Sequence, residues 1–179
     1  MKRSLLIIAV LFVTTTLFSQ KQKLGLNNAF VVALLDNPED RYSLEINFTE
    51  LLMSKGIKAE PSLNHMKFGA DSEDLANDSI TALIKSKGID TYVLVSVRGY
   101  DSRFKKTKRK DSLQVALSQG SLYDLYRQDV ISISFEFKFY RNGVFVYTDI
   151  VKCGNVSDRS TVLKRFRKKV GKRTKKWMK

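Results

Sequence analysis

The chain has 179 residues, 43% of them hydrophobic, with nine glycines and two prolines, a balance that excludes a disordered or collagen-like polypeptide. One cysteine and one histidine exclude an intrachain disulfide and the common zinc-ligand patterns. The formal net charge of +14 is unevenly spread: residues 159–179 hold eleven Lys or Arg and no acid, while residues 21–158 balance nineteen basic against eighteen acidic groups.

Residues 1–20, MKRSLLIIAVLFVTTTLFSQ, read as a secretory signal peptide: Lys2 and Arg3, an apolar run from Leu5 to Val13, then a polar exit through Thr14–Thr16 and Ser19. The run is shorter than the roughly 20 residues a membrane span needs. No cysteine follows it, so a lipoprotein attachment residue is missing. The expected address is periplasmic or secreted. Residues 21–179 are then long enough for a single domain with its own core.

NAFVVALL (Asn28–Leu35) is a continuous apolar run suited to a strand buried on both faces. Asn37, Pro38, Glu39 and Asp40 form a helix start: a capping side chain, a proline at the first helical position and acids at the positive end of the dipole. Leu44, Phe48, Leu51 and Leu52 recur at helical spacing before Gly56. Ile57–Ser62 predicts a short strand, with Pro61 marking an edge or an end. A second helix is expected within SEDLANDSITALIKSKG, capped at Ser72 or Asp78 and closed by Gly88. Thr91–Tyr100 is rich in β-branched and aromatic residues and reads as a third strand.

About thirty residues follow before the next strand, an insertion over about 101–129. Structureless connections beyond about 12–15 residues are uncommon. Its first half is basic, with Arg103, Lys105, Lys106, Lys108 and Arg109; its second half carries Leu122, Tyr123, Leu125 and Tyr126. Two readings stay open, a solvated excursion of the sheet or a docking loop. For the second, the candidate partner-binding residues are Arg103, Lys105, Lys106, Lys108, Arg109, Tyr123 and Tyr126.

ISISFEFKFY (Ile131–Tyr140) alternates, which predicts an antiparallel strand with Ile and Phe inward and Ser132, Ser134, Glu136 and Lys138 toward solvent. Asn142-Gly143 signals a two-residue hairpin, and Val144–Cys153 is its partner. Cys153 is expected to serve as a small buried hydrophobe. A last helix, about 158–177, is capped by Ser157 or Asp158 and places Val162, Phe166, Val170 and Trp177 on one face. Gly171 weakens it by about 1 kcal/mol relative to alanine, so the stretch from Lys172 is expected to fray. That end supplies the candidate contacts for an anionic surface: Lys172, Arg173, Lys175, Lys176 and Lys179.

The expected order is β-α-β-α-β-β-β-α, an α/β fold with one mixed sheet: a parallel crossover part, an antiparallel hairpin and a C-terminal helix. No catalytic constellation accompanies it. His65 has no partner in the sequence, and no nucleophile elbow is present. The turn after Leu35 is acidic where a phosphate site would need glycines. No enzyme and no cofactor are expected.

VVALLDNPEDRYSLEINFTELLMSKGIKAEPS followed by ITALIKSKGIDTYVLVSVRGYD resembles small bacterial envelope proteins. Their fold is similar to that of the curli-secretion lipoprotein, the penicillin-binding-protein activator lipoproteins and the TolB N-terminal domain. Arg41, Glu45, Leu52, Gly56, Ser62, Gly88, Asp90 and Gly143 occupy the pattern, as helix, cap and turn positions. The resemblance implies a non-catalytic, protein-binding or assembly-associated envelope module with an envelope protein as partner. The second partner considered is an anionic membrane or lipopolysaccharide surface met by the basic helix; a secretion signal argues against nucleic acid.

Overall fold

The computed structural model describes residues 24–67, 69–107 and 109–179. The predicted signal segment, residues 1–20, lies outside the described residues.

Five strands form one mixed sheet in the order β2-β1-β3-β4-β5. β1 (Asn28–Ala33) lies parallel to β2 (Lys58–Pro61) and to β3 (Thr91–Tyr100). β4 (Ser132–Arg141) and β5 (Val144–Gly154) continue the sheet antiparallel. The helices are α1 (Pro38–Met53), α2 (Asp78–Ser86), α3 (Leu113–Ser118) and α4 (Arg159–Trp177). The β-α-β-α-β-β-β-α order holds, with α3 added inside the long connection.

Local chemistry sets the element ends. Asn37 Oδ1 accepts from the N–H groups of Glu39 and Asp40, both at 3.0 Å, and Pro38 opens α1. Asn142 and Gly143, at φ 49° and 77°, make the tight turn between β4 and β5. Asp158 caps α4 through the Thr161 N–H at 2.7 Å. The second helix departs from expectation. A 3-10 turn covers Ser72–Ala76, and α2 starts only after Asn77, whose side chain accepts from Ile80 N–H at 2.8 Å. The cap is therefore Asn77 rather than Ser72 or Asp78, because its oxygen alone sits three residues before an N–H that lacks a helical partner.

α1 and α4 cover one sheet face. Leu44, Phe48 and Leu52 from α1 meet Val162, Phe166, Val170 and Trp177 from α4 over Val31, Val93, Phe135, Phe137 and Phe139. The rings interlock: Phe48 stands edge-on to Phe137 and Phe166, both at 5.5 Å, and Trp177 lies 5.0 Å from Phe137. Contrary to the expected fraying, α4 runs unbroken through Gly171 to Trp177, which is 1% exposed. Burial of that indole outweighs the backbone penalty of one glycine. Trp177 O also accepts from Leu26 N–H at 2.7 Å, so the start of the described chain is tied to the end of α4.

α2 and α3 cover the other face, over Phe30, Val32, Leu34, Tyr92, Leu94 and Tyr140. Here the expected solvent side of β4 is overturned: Ser132, Ser134 and Glu136 are 5%, 2% and 4% exposed. The alternation is correct, but the 101–129 connection lies over the polar side. It is a folded cover rather than a loop in solvent. Phe104 packs against Gly99, α3 buries Leu113, Ala116 and Leu117, and Leu125 and Val130 join the opposite core.

Candidate functional site

Three residues of the sequence pattern meet at the end of β1. Glu45, fully buried, accepts from Ala33 N–H at 2.8 Å, from Ser62 Oγ at 2.7 Å and from Leu63 N–H at 3.2 Å. Arg41 Nε stands 3.6 Å away, and its two terminal nitrogens donate to Ala70 O and Met66 Sδ. Burial pushes the Glu45 carboxyl above the usual carboxylate range, while these hydrogen bonds and Arg41 oppose it. The cluster pins β1, α1 and the chain after β2; it is a structural clasp with every Glu45 oxygen engaged. His65 is likewise built in rather than free in a loop: its ring packs edge-on to Phe30 at 5.5 Å and its Nε2 lies 2.6 Å from Glu60 Oε1. Among the described residues, no group of three or more His, Cys, Asp or Glu side chains is placed to hold a metal ion.

A cleft of about 480 Å³ opens between the β3–β4 face and the Ala116–Tyr123 segment above it. That volume is in the range of ligand pockets. Its floor is Leu94, Ser96, Glu136 and Lys138; Arg98 and Arg109 stand at its sides, and Leu122 and Tyr123 form its rim. A smaller neighbouring cleft of about 270 Å³ shares Leu34 and Gly120 with it and reaches Asp36 and Arg41. The register places Glu136 opposite Ser96, so the strands themselves aim the carboxylate into the space. Lys138 Nζ lies 3.4 Å from Asp111 Oδ2, and Arg109 pairs with the other oxygen of Asp111. Leu122 is 93% exposed and Tyr123 40%, an apolar ridge beside a charged floor.

The structure brings two of the predicted loop residues, Arg109 and Tyr123, to this cleft. Tyr126 donates to Ser157 O at 2.6 Å and packs on the core, which makes it a strut for the α4 start. Lys106 donates to Tyr147 Oη at 2.9 Å and lies 3.1 Å from Asp149. Arg103 and Lys105 are exposed. Lys108 lies outside the described residues. Arg98, Asp111, Glu136 and Lys138 were missed. The available signal was the mismatch between a thirty-residue connection, which must lie somewhere, and a polar strand face beside it.

On α4 the predicted basic set divides. Arg173 faces inward and makes a two-point bond with Asp149, Nε to Oδ2 at 2.5 Å and Nη2 to Oδ1 at 2.8 Å. Lys172, Lys175, Lys176 and Lys179 are exposed. Lys172 and Lys176 join Lys152 and Lys169 around a shallow groove of about 290 Å³ beside β5.

No family model matches this sequence, and no curated protein matches it. Solved structures show similarity at low identity. The PelC dodecamer from Paraburkholderia phytofirmans is 15% identical with a TM-score of 0.45, over 84% of this chain and 86% of that one. The lipoprotein GNA1162 from Neisseria meningitidis is 14% identical with a TM-score of 0.41, over 83% of this chain and 97% of that one. At these scores neither likeness carries an argument about function, and membership of the envelope families that the sequence resembles is not shown.

Proposed function

We propose that the chain is a secreted, non-catalytic envelope module that docks a segment of another envelope protein along the Leu122–Tyr123 ridge. The observation that carries this reading is the ridge itself. Leu122 is almost fully exposed on a segment whose neighbours Ser121 and Leu125 are buried, so it is held out by a rigid support rather than by a mobile tip. Ser121 Oγ donates to Val97 O at 3.2 Å, and the Tyr123 ring leans edge-on against Tyr100 at 5.4 Å. The N-terminal pattern Lys2, Arg3 and Leu5–Val13 supports secretion.

A photo-crosslinking residue at Leu122 or Tyr123 tests this in intact cells. A discrete protein adduct is expected from these positions and not from Tyr42, which is exposed on α1. Leu122→Asp, carried with the cross-linker at Tyr123, should abolish it. Recovery of monomer alone from both ridge positions would refute partner docking.

The second reading, contact of the basic helix with an anionic lipid or lipopolysaccharide surface, is favoured by the four lysines around the β5 groove. Removing residues 171–179 cannot test it, since that also removes Trp177 from the core. Paired reversals Lys172→Glu and Lys176→Glu can. Lower cosedimentation with phosphatidylglycerol vesicles at low salt supports surface contact, and unchanged or absent binding counts against it.

A further inference from the structure

Beneath the ridge, two opposite charges face the cleft without a hydrogen bond between them. The Glu136 side chain is 5% exposed, and its Oε1 has no hydrogen-bond partner among the described residues. Its Oε2 lies 3.9 Å from Arg98 Nη1, beyond hydrogen-bond length. The Arg98 side chain is half-exposed and donates no hydrogen bond among the described residues. The other two cations of the cleft, Lys138 and Arg109, share Asp111. What remains is an acceptor on the floor and a donor at the side, each with unused capacity.

A buried carboxylate with an unused oxygen is costly unless something supplies a donor. A simple cation entering to do so would meet Arg98, Arg109 and Lys138. A simple anion drawn by those cations would meet Glu136. Only a molecule with both signs offsets both. Apolar side chains line the rest of the space, Leu94 on the floor, Leu34 and Ala116 around it and Leu122 at the mouth, and its roughly 480 Å³ exceeds what a lone ion needs.

We propose that the cleft binds a small zwitterion, a free amino acid or a short peptide, with its ammonium group donating to Glu136, its carboxylate held by Arg98 and its apolar side chain against Leu94 and Ala116. Charge-assisted hydrogen bonds at both ends give orientation, and the apolar wall selects the side chain. The two charged groups that would hold the ligand, Glu136 and Arg98, lie on β4 and β3, while Leu122 and Tyr123 of the docking ridge stand at the mouth of the same cleft.

Calorimetry on the purified protein tests this with L-leucine and L-alanyl-L-leucine, alongside their N-acetylated and C-amidated forms. Binding by at least one zwitterion is expected, with capping of either end weakening it by about tenfold to a hundredfold, as the loss of one charge-assisted bond implies. Glu136→Gln should remove the penalty for N-acetylation, and Arg98→Gln the penalty for C-amidation. Circular dichroism confirms that each variant is folded. The amino acid and the dipeptide separate the two ligand sources. No binding by either zwitterion at about 10 mM overturns the proposal. So does binding indifferent to capping, binding sensitive at one end only (a singly charged ligand), or affinity unchanged in both variants.

Discussion

Trp177 Nε1 donates to Asp149 Oδ2 at 3.0 Å, across a gap of 28 residues and between the last turn of α4 and the middle of β5. Arg173 and Lys106 converge on the same carboxylate, which is 1% exposed. The basic terminal helix is therefore locked to the sheet by one aspartate that receives an indole, a guanidinium and an ammonium.

Asp149→Ala should destabilise the protein by about 3–5 kcal/mol, since it strands the inward-facing Arg173 and the buried Trp177 N–H without an acceptor. Urea unfolding at neutral pH measures this. A loss below about 1 kcal/mol would show that the carboxylate is not a lock.

The same group makes stability pH-dependent. Burial alone would raise the Asp149 carboxyl, but hydrogen bonds from Arg173, Trp177 and Lys106 outweigh it and hold the group below the usual carboxylate range. A carboxylate lowered in the folded state contributes its full stability above its unfolded value, about 3.9, and loses it as pH falls through the lowered folded value. Unfolding free energy followed downward from pH 5 should fall less steeply in Asp149→Asn than in the natural protein. Equal slopes would disprove the linkage.

The last turn of α4 should behave as core, and its outer lysines as surface. Trp177→Ala is expected to cost about 3–5 kcal/mol, the usual range for emptying a buried large aromatic site. Lys175→Glu, one turn face away, should change stability by no more than about 0.5 kcal/mol. Thermal melts of the two variants side by side give the comparison, and similar shifts in both would contradict the described packing.

Cys153 should be unreactive until the protein unfolds. It is fully buried, and burial pushes its thiol up to about 12, so almost no thiolate exists at neutral pH. Labelling with a disulfide reagent should be slower than for an exposed thiol by about a hundredfold or more and become immediate in strong urea. Fast labelling without denaturant would place the thiol at the surface.

Gly99 admits the cover over β4. A Cβ there would stand 2.6 Å from Phe104 Cζ, and φ at +145° disfavours other residues. Gly99→Ala should cost about 1–3 kcal/mol and expose residues 101–110 to protease. Adding Phe104→Ala should relieve the clash but not the backbone strain, so the two changes combine non-additively. Simple additivity in urea unfolding would separate Phe104 from the glycine.

What could be read from the sequence was whatever local rules decide. Asn37 and Pro38 begin a helix by their own chemistry, Asn142-Gly143 closes a hairpin within two residues, and Val162, Phe166, Val170 and Trp177 share a face by helical period alone. Apart from the α2 cap at Asn77, the misread features depend on distant cover. Alternation along β4 reports two faces but not that Asp111, α3 and the Gly120–Tyr123 segment lie over Glu136 and Lys138. A lysine and arginine run reports charge but not that Arg173 meets Asp149. The cleft was half visible, through Arg109 and Tyr123, because exposed loop residues draw notice; its floor looked like ordinary solvent-facing strand.

The bond from Leu26 N–H to Trp177 O also bears on when the molecule can become itself. Phe48, Phe137 and Phe139 all pack around the Trp177 ring, so one sheet face closes only once the last turn of α4 is seated. The core face is therefore closed by two segments far apart along the chain, and neither the approach to β1 nor the last turn of α4 completes it alone.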